Sequence, residues 1–136
     1  MAREKMDSAN RTTKPRLLLV ESNEFIRNAL RTAFERSGYS IVVVETARDG
    51  SQVLNDDCLD VVISDYELMD STGLNFLVSL KNVCPNKTNV LMITYGDLDN
   101  ISETKNCGIH HIIEKPFSFE KLLRIVEGTP KNNVIT

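Results

Sequence analysis

The sequence predicts an α/β protein: a doubly wound parallel sheet of five strands with helices on both faces. Three observations predict it. Short apolar runs alternate with segments of helical periodicity, in the order βαβαβαβαβα. The runs are continuous rather than alternating, the pattern of strands covered on both faces. The connections are short, so right-handed crossovers place helices on either side of the sheet.

The first strand is read in the run Leu17-Leu18-Leu19-Val20, which ends in Glu21-Ser22. Ser22 or Asn23 can cap the next helix. There Phe25, Ile26, Ala29, Leu30, Ala33 and Phe34 recur at helical spacing, with Arg27, Arg31 and Arg36 largely on other faces. Gly38 stands near a C-cap position. Residues Ser40 to Glu45 form a β-branched second strand. Thr46 with Asp49 resembles a capping box for a short helix through Val53 and Leu54. The third strand runs from Leu59 to Ser64 and delivers Asp65 at its end. Ser71 or Thr72 starts a helix through Leu74, Leu77, Val78 and Leu80 that ends before Pro85. The fourth strand, Asn89 to Ile93, ends in Thr94. The weakest helical pattern is Asp97 to Asn106, whose apolar residues are few, and it is expected to be the most mobile helix. His110 to Ile113 is the fifth strand, leading to Glu114-Lys115-Pro116. Ser118 caps a last helix with Phe119, Leu122, Leu123, Ile125 and Val126, closed by Gly128.

The chain has 136 residues, 41% of them hydrophobic, which suits one domain with one core. Residues 1–14 read as a disordered lead-in, 15–128 as the domain, and 129–136 as a polar tail or the start of a linker. The formal charge of -3 argues against general nucleic-acid binding. No apolar stretch approaches the ~20 residues a membrane span needs, and the N-terminus has no apolar core of a secretory signal. Cys58, Cys84 and Cys107 are isolated and odd in number, with no C-x-x-C pair. They read as unpaired thiols in a reducing cytoplasm rather than as a disulfide framework or zinc site.

Parallel sheets gather ligands at the carboxyl ends of their strands. There the topology would bring together Glu21, Asp65, Glu67, Thr94 and Lys115. Like charges at close range raise each other's pKa unless a cation lies among them. A divalent ion such as Mg²⁺ is one resolution, since it uses one or two carboxylates, waters and a phosphate. Carboxylate, hydroxyl and ammonium around one point suit a tetrahedral dianion, and an aspartate there can itself form an acyl phosphate.

Four segments now fall in order: Leu-Leu-Leu-Val-Glu-Ser-Asn, Val-Val-Ile-Ser-Asp-Tyr-Glu-Leu-Met-Asp-Ser-Thr-Gly, Val-Leu-Met-Ile-Thr and Ile-Ile-Glu-Lys-Pro-Phe. Over Arg16 to Glu127 the chain resembles the CheY-like receiver domains of two-component response regulators. The resemblance implies a flavodoxin-like (βα)₅ fold with strand order 2-1-3-4-5. It implies that Asp65 is the phosphoacceptor, attacking a phosphohistidine of a sensor histidine kinase or phosphotransfer protein. Thr94 matches the switch hydroxyl, Lys115 the phosphoryl-binding lysine, and Pro116 a cis-proline. The implied Mg²⁺ ligands are Glu21, Asp65, the backbone carbonyl of Glu67 and, at the position of a second acid, Ser22. The resemblance further implies a switch of partner binding, with an output domain or downstream protein as the reader and pairing of two copies as one form of it. Chemistry beyond self-phosphorylation and self-dephosphorylation is not implied.

The departures from the family pattern are specific. A serine hydroxyl is a poorer Mg²⁺ ligand than a carboxylate, so metal binding is expected to be weak. Met69 stands where the family usually has proline. Tyr95, where a small residue is usual, would shield the site or contact a partner. Ile112, at the usual aromatic switch position, has no polar tip. His110 and His111 occupy positions often acidic in the family and read as edge-strand or loop residues. An alternative reading is therefore an atypical pseudo-receiver, a protein-interaction module independent of phosphorylation. A phosphohydrolase with an aspartate nucleophile would need a second Asp where Glu67 stands. A flavin-binding protein would want Ser, Thr and Gly in the acidic first loop.

Overall fold

The computed structural model describes residues 14–97 and 108–129. Five parallel strands form one sheet in the order β2-β1-β3-β4-β5. They are β1 (Leu17–Val20), β2 (Ile41–Val44), β3 (Val61–Asp65), β4 (Thr88–Ile93) and β5 (His111–Glu114). The described helices are α1 (Glu24–Arg36), α2 (Ala47–Asp56), α3 (Gly73–Ser79) and α4 (Phe119–Glu127). A single 3₁₀ turn, Tyr95–Asp97, follows β4. The expected helix from Asp97 to Asn106 lies, beyond Asp97, outside the described residues. So do the lead-in through residue 13 and the tail from residue 130.

The apolar runs are continuous because both faces of the central strands are covered. Successive side chains point to opposite faces. Leu17, Leu19, Val61, Ile63, Val90 and Met92 pack with Leu30 and Phe34 of α1 and Leu122 and Val126 of α4. Leu18, Val20, Val62, Leu91 and Ile93 pack on the other side with Leu54 of α2 and Leu74 and Leu77 of α3. Phe34 is completely buried and meets Phe119 edge-on, with ring centroids 4.8 Å apart.

The helix starts follow capping chemistry. Asn23 accepts from the Ile26 N–H, Thr46 from Asp49, Thr72 from Asn75 and Ser118 from Lys121. The α2 terminus has a second cap: Asp70, from the loop after β3, accepts the backbone N–H groups of Ala47 and Arg48 at 2.9 and 3.0 Å.

One expectation is overturned. Cys58 and Cys84 are joined in a disulfide, with an S–S distance of 2.10 Å. Cys58 precedes β3 and Cys84 precedes β4, and these strands are neighbours. Their preceding loops therefore meet at the amino ends of the strands. A separation of 26 residues carries no sign of that meeting in the sequence. Cys107 lies outside the described residues.

Candidate functional site

The strand register brings the chemistry together. Val20 pairs with Ser64, so Glu21 leaves β1 beside Asp65 at the end of β3. Ile93 pairs with Glu114, so Thr94 and Lys115 leave β4 and β5 side by side. Glu21, Ser22, Asp65, Glu67, Thr94 and Lys115 all line one open cavity of about 570 Å³ at this rim, which Met69 and Asp97 also border.

Lys115 is the hub. Its Nζ lies 3.0 Å from Asp65 Oδ1 and 3.1 Å from Glu21 Oε1. Burial acts to lower its pKa, but the hydrogen bond and charge of Asp65, reinforced by Glu21, outweigh burial and raise it. Glu21 is only 1% exposed. Burial raises its pKa, Asp65 adds to the rise, and the Asn23 N–H and Lys115 oppose it. The Lys115-Pro116 peptide bond is cis, as the resemblance implies.

Gly73 lets α3 start against the acceptor strand. A Cβ at this position would sit 1.9 Å from the Asp65 carbonyl oxygen, so no larger residue fits.

The residues present fit a tightly held divalent cation poorly. Glu21 commits one oxygen to the Asn23 N–H and the other to Lys115. The Ser22 hydroxyl donates to the Glu45 carbonyl at 3.2 Å. Among the described residues, no three His, Cys, Asp or Glu side chains converge as a metal site. Of the expected ligands, Glu21 and Asp65 both contact the Lys115 ammonium, and Ser22 and Glu67 border the same cavity.

Tyr95 is 85% exposed and does not border the cavity, which leaves the partner contact of the two expected roles. Ile112, on the edge strand β5, is 38% exposed. His110 lies in the loop before β5 and His111 on that edge strand, as expected. The His110 Nδ1 accepts the Asn89 N–H at 2.9 Å, and burial lowers its pKa.

Two carboxylates escaped the sequence reading. Asp70 caps α2, as described above. Asp97 Oδ2 accepts from both the Thr94 N–H, at 2.8 Å, and the Thr94 hydroxyl, at 3.0 Å. Thr94-Tyr95-Gly96-Asp97 has the same T-x-x-D spacing as Thr46 to Asp49, and that spacing was the signal available.

The profile of the response regulator receiver domain matches residues 17–127. Among curated proteins, the chain is 24% identical over 111 residues to the transcriptional regulatory protein GlrR of Escherichia coli, covering 82% of this chain and 25% of that protein. It is 25% identical over 107 residues to sporulation initiation phosphotransferase F of Bacillus subtilis, covering 79% and 86% respectively. The chain thus spans about a quarter of the length of the larger regulators it matches. In structure it is similar to the chemotaxis response regulator CheY4 of Vibrio cholerae, with a TM-score of 0.77 at 22% identity, covering 85% of this chain and 98% of that one. The signal receiver domain of an HD domain-containing protein from Pseudomonas fluorescens gives a TM-score of 0.76 at 29% identity, covering 84% and 85%. With this profile match, the (βα) order and the 2-1-3-4-5 sheet, the chain belongs to the response regulator receiver domains of two-component signal transduction.

Proposed function

We propose that Asp65 is the phosphoacceptor of this receiver domain. The observation that carries the reading is the contact of Asp65 with Lys115 in a cavity that Thr94 also lines. In the transfer, an Asp65 carboxylate oxygen forms a bond to phosphorus as the P–N bond of a phosphohistidine breaks, its electron pair returning to the imidazole. Lys115, held by Glu21, places its ammonium against the charge that develops on the phosphoryl oxygens. The Thr94 hydroxyl supplies a donor to the bound group.

Receiver domains are in general signalling modules that interact with histidine kinases or phosphotransfer proteins and with output domains. For this chain, a sensor kinase or phosphotransfer protein is the proposed donor, and an output domain or downstream protein the proposed reader, in the cytoplasm. Tyr95 and Ile112, both exposed, are the proposed contacts for that reader. Among the described residues no helix is long and apolar enough to cross a membrane. Receiver domains generally bind Mg²⁺ at the phosphorylation site; with Ser22 in place of a second acid, this chain is proposed to bind it only weakly.

The test is incubation with a small acyl phosphate and Mg²⁺, read by intact mass, with Asp65→Asn as control. One added phosphoryl group that is lost in the variant supports the reading. The Ser22 substitution favours the second reading, an interaction module that works without phosphorylation. Failure to label from either a small donor or a kinase would leave that reading standing.

A further inference from the structure

We propose that Asp97 is a latch that holds Thr94 in the unphosphorylated state by competing with the phosphoryl group for the Thr94 hydroxyl proton. The inference rests on the reading of Asp65 as phosphoacceptor and adds a positioning residue to it.

A threonine hydroxyl carries one proton and donates it to one acceptor at a time. Here that acceptor is Asp97 Oδ2, at 3.0 Å. The same oxygen accepts the Thr94 N–H at 2.8 Å, and the Asp97 N–H donates back to the Thr94 carbonyl at 3.0 Å. These three bonds close the 3₁₀ turn Tyr95–Asp97 on itself. Thr94 and Asp97 border the same cavity as Asp65 and Lys115. A phosphoryl group on Asp65 can take the Thr94 proton only when the bond to Asp97 breaks. The two acceptors exclude each other, which makes the turn a two-state element biased by the charge on Asp65. Hydrogen bonds to an ionised acceptor are stronger than neutral ones, so the carboxylate is an effective competitor. Asp97 touches neither reactant; it acts through Thr94.

The experiment measures the rate of phosphoryl incorporation from a small acyl phosphate in excess Mg²⁺, by intact mass, on the full chain. Four proteins are compared: the native chain, Asp97→Ala, Thr94→Ala and the double variant. With the latch removed, Asp97→Ala should label about three- to tenfold faster than the native chain. In the Thr94→Ala background the same change should alter the rate by less than about twofold, because the competition no longer exists. Asp97→Asn, which keeps the shape and a weaker acceptor, should fall between the native chain and Asp97→Ala. In the unphosphorylated protein the Thr94 amide resonance should move upfield in Asp97→Ala while resonances of the sheet stay in place, which separates loss of the bond from loss of the fold. Equal acceleration in both backgrounds would reduce Asp97 to a plain charge effect, and no acceleration would remove it from the site; either overturns the latch and leaves Asp65 as acceptor. No label on the native chain from either the small donor or a kinase would remove the acceptor reading, and the latch with it.

Discussion

Lys115 Nζ lies 3.0 Å from Asp65 Oδ1, and the same ammonium reaches Glu21 at 3.1 Å. One cation thus bridges two carboxylates at the rim of the sheet, and one of them is almost wholly buried. That arrangement sets what removal of the cation does.

Lys115→Met leaves Glu21 buried without its cation. The variant should lose about 1–3 kcal/mol of stability at neutral pH. Burial already raises the Glu21 pKa, and loss of the ammonium raises it further. A carboxyl whose folded pKa is raised contributes stability below its unfolded pKa and loses it as pH rises through the folded value. The deficit should therefore shrink as the pH falls through the raised Glu21 value toward the ordinary carboxylate range. Urea titrations across that window check the sign, and a deficit that does not vary with pH would contradict it.

Asp70 shows the opposite linkage. The N–H of Ala47, with burial working against it and the N–H of Arg48 adding to it, holds its pKa below the ordinary aspartate value. Stability from this cap is present above the unfolded pKa and is lost as the pH falls through the lowered folded value. Asp70→Ala should cost about 1 kcal/mol at neutral pH and nothing once the native carboxylate is protonated. Thermal melts of both proteins at neutral and strongly acid pH make the comparison.

Gly73→Ala places a methyl group 1.9 Å from the Asp65 carbonyl oxygen. The start of α3 or the end of β3 must move, at a cost of about 3 kcal/mol or more. Because the displaced backbone carries the acceptor, phosphoryl labelling should fall along with stability. A variant that keeps native stability would show that the two segments are not held at this distance.

Ser22→Asp adds the carboxylate missing from the rim. Mn²⁺ affinity, read by electron paramagnetic resonance of the free ion, should rise at least about tenfold over the native chain. Equal affinity in the two proteins would mean that Ser22 is not what limits metal binding.

The Cys58–Cys84 bond closes a loop across 26 residues, worth about 3 kcal/mol in the chain-entropy account. Reductant should lower the unfolding midpoint of the native chain and leave that of Cys58→Ser unchanged. A midpoint insensitive to reductant would argue against the bond contributing in solution.

The sheet was legible in the sequence because strands buried on both faces must be apolar throughout, and Leu17 to Val20 and Val61 to Ile63 are. The convergence of Asp65, Thr94 and Lys115 followed from topology, since a parallel sheet puts all its strand ends at one rim. The caps at Thr46 and Ser118 were legible because capping is a contact between residues three apart. By itself, then, the sequence determined the layers, the strand order through its resemblance to a known family, and which residues share the rim. Only the tertiary structure decided which of them touch: that Lys115 bridges Glu21 and Asp65, that Ser22 turns to Glu45, that Asp70 caps a helix it does not precede, and that Cys58 meets Cys84. These contacts join segments far apart in the chain, and each depends on side-chain direction. Periodicity and local propensity fix the backbone path but leave that direction open.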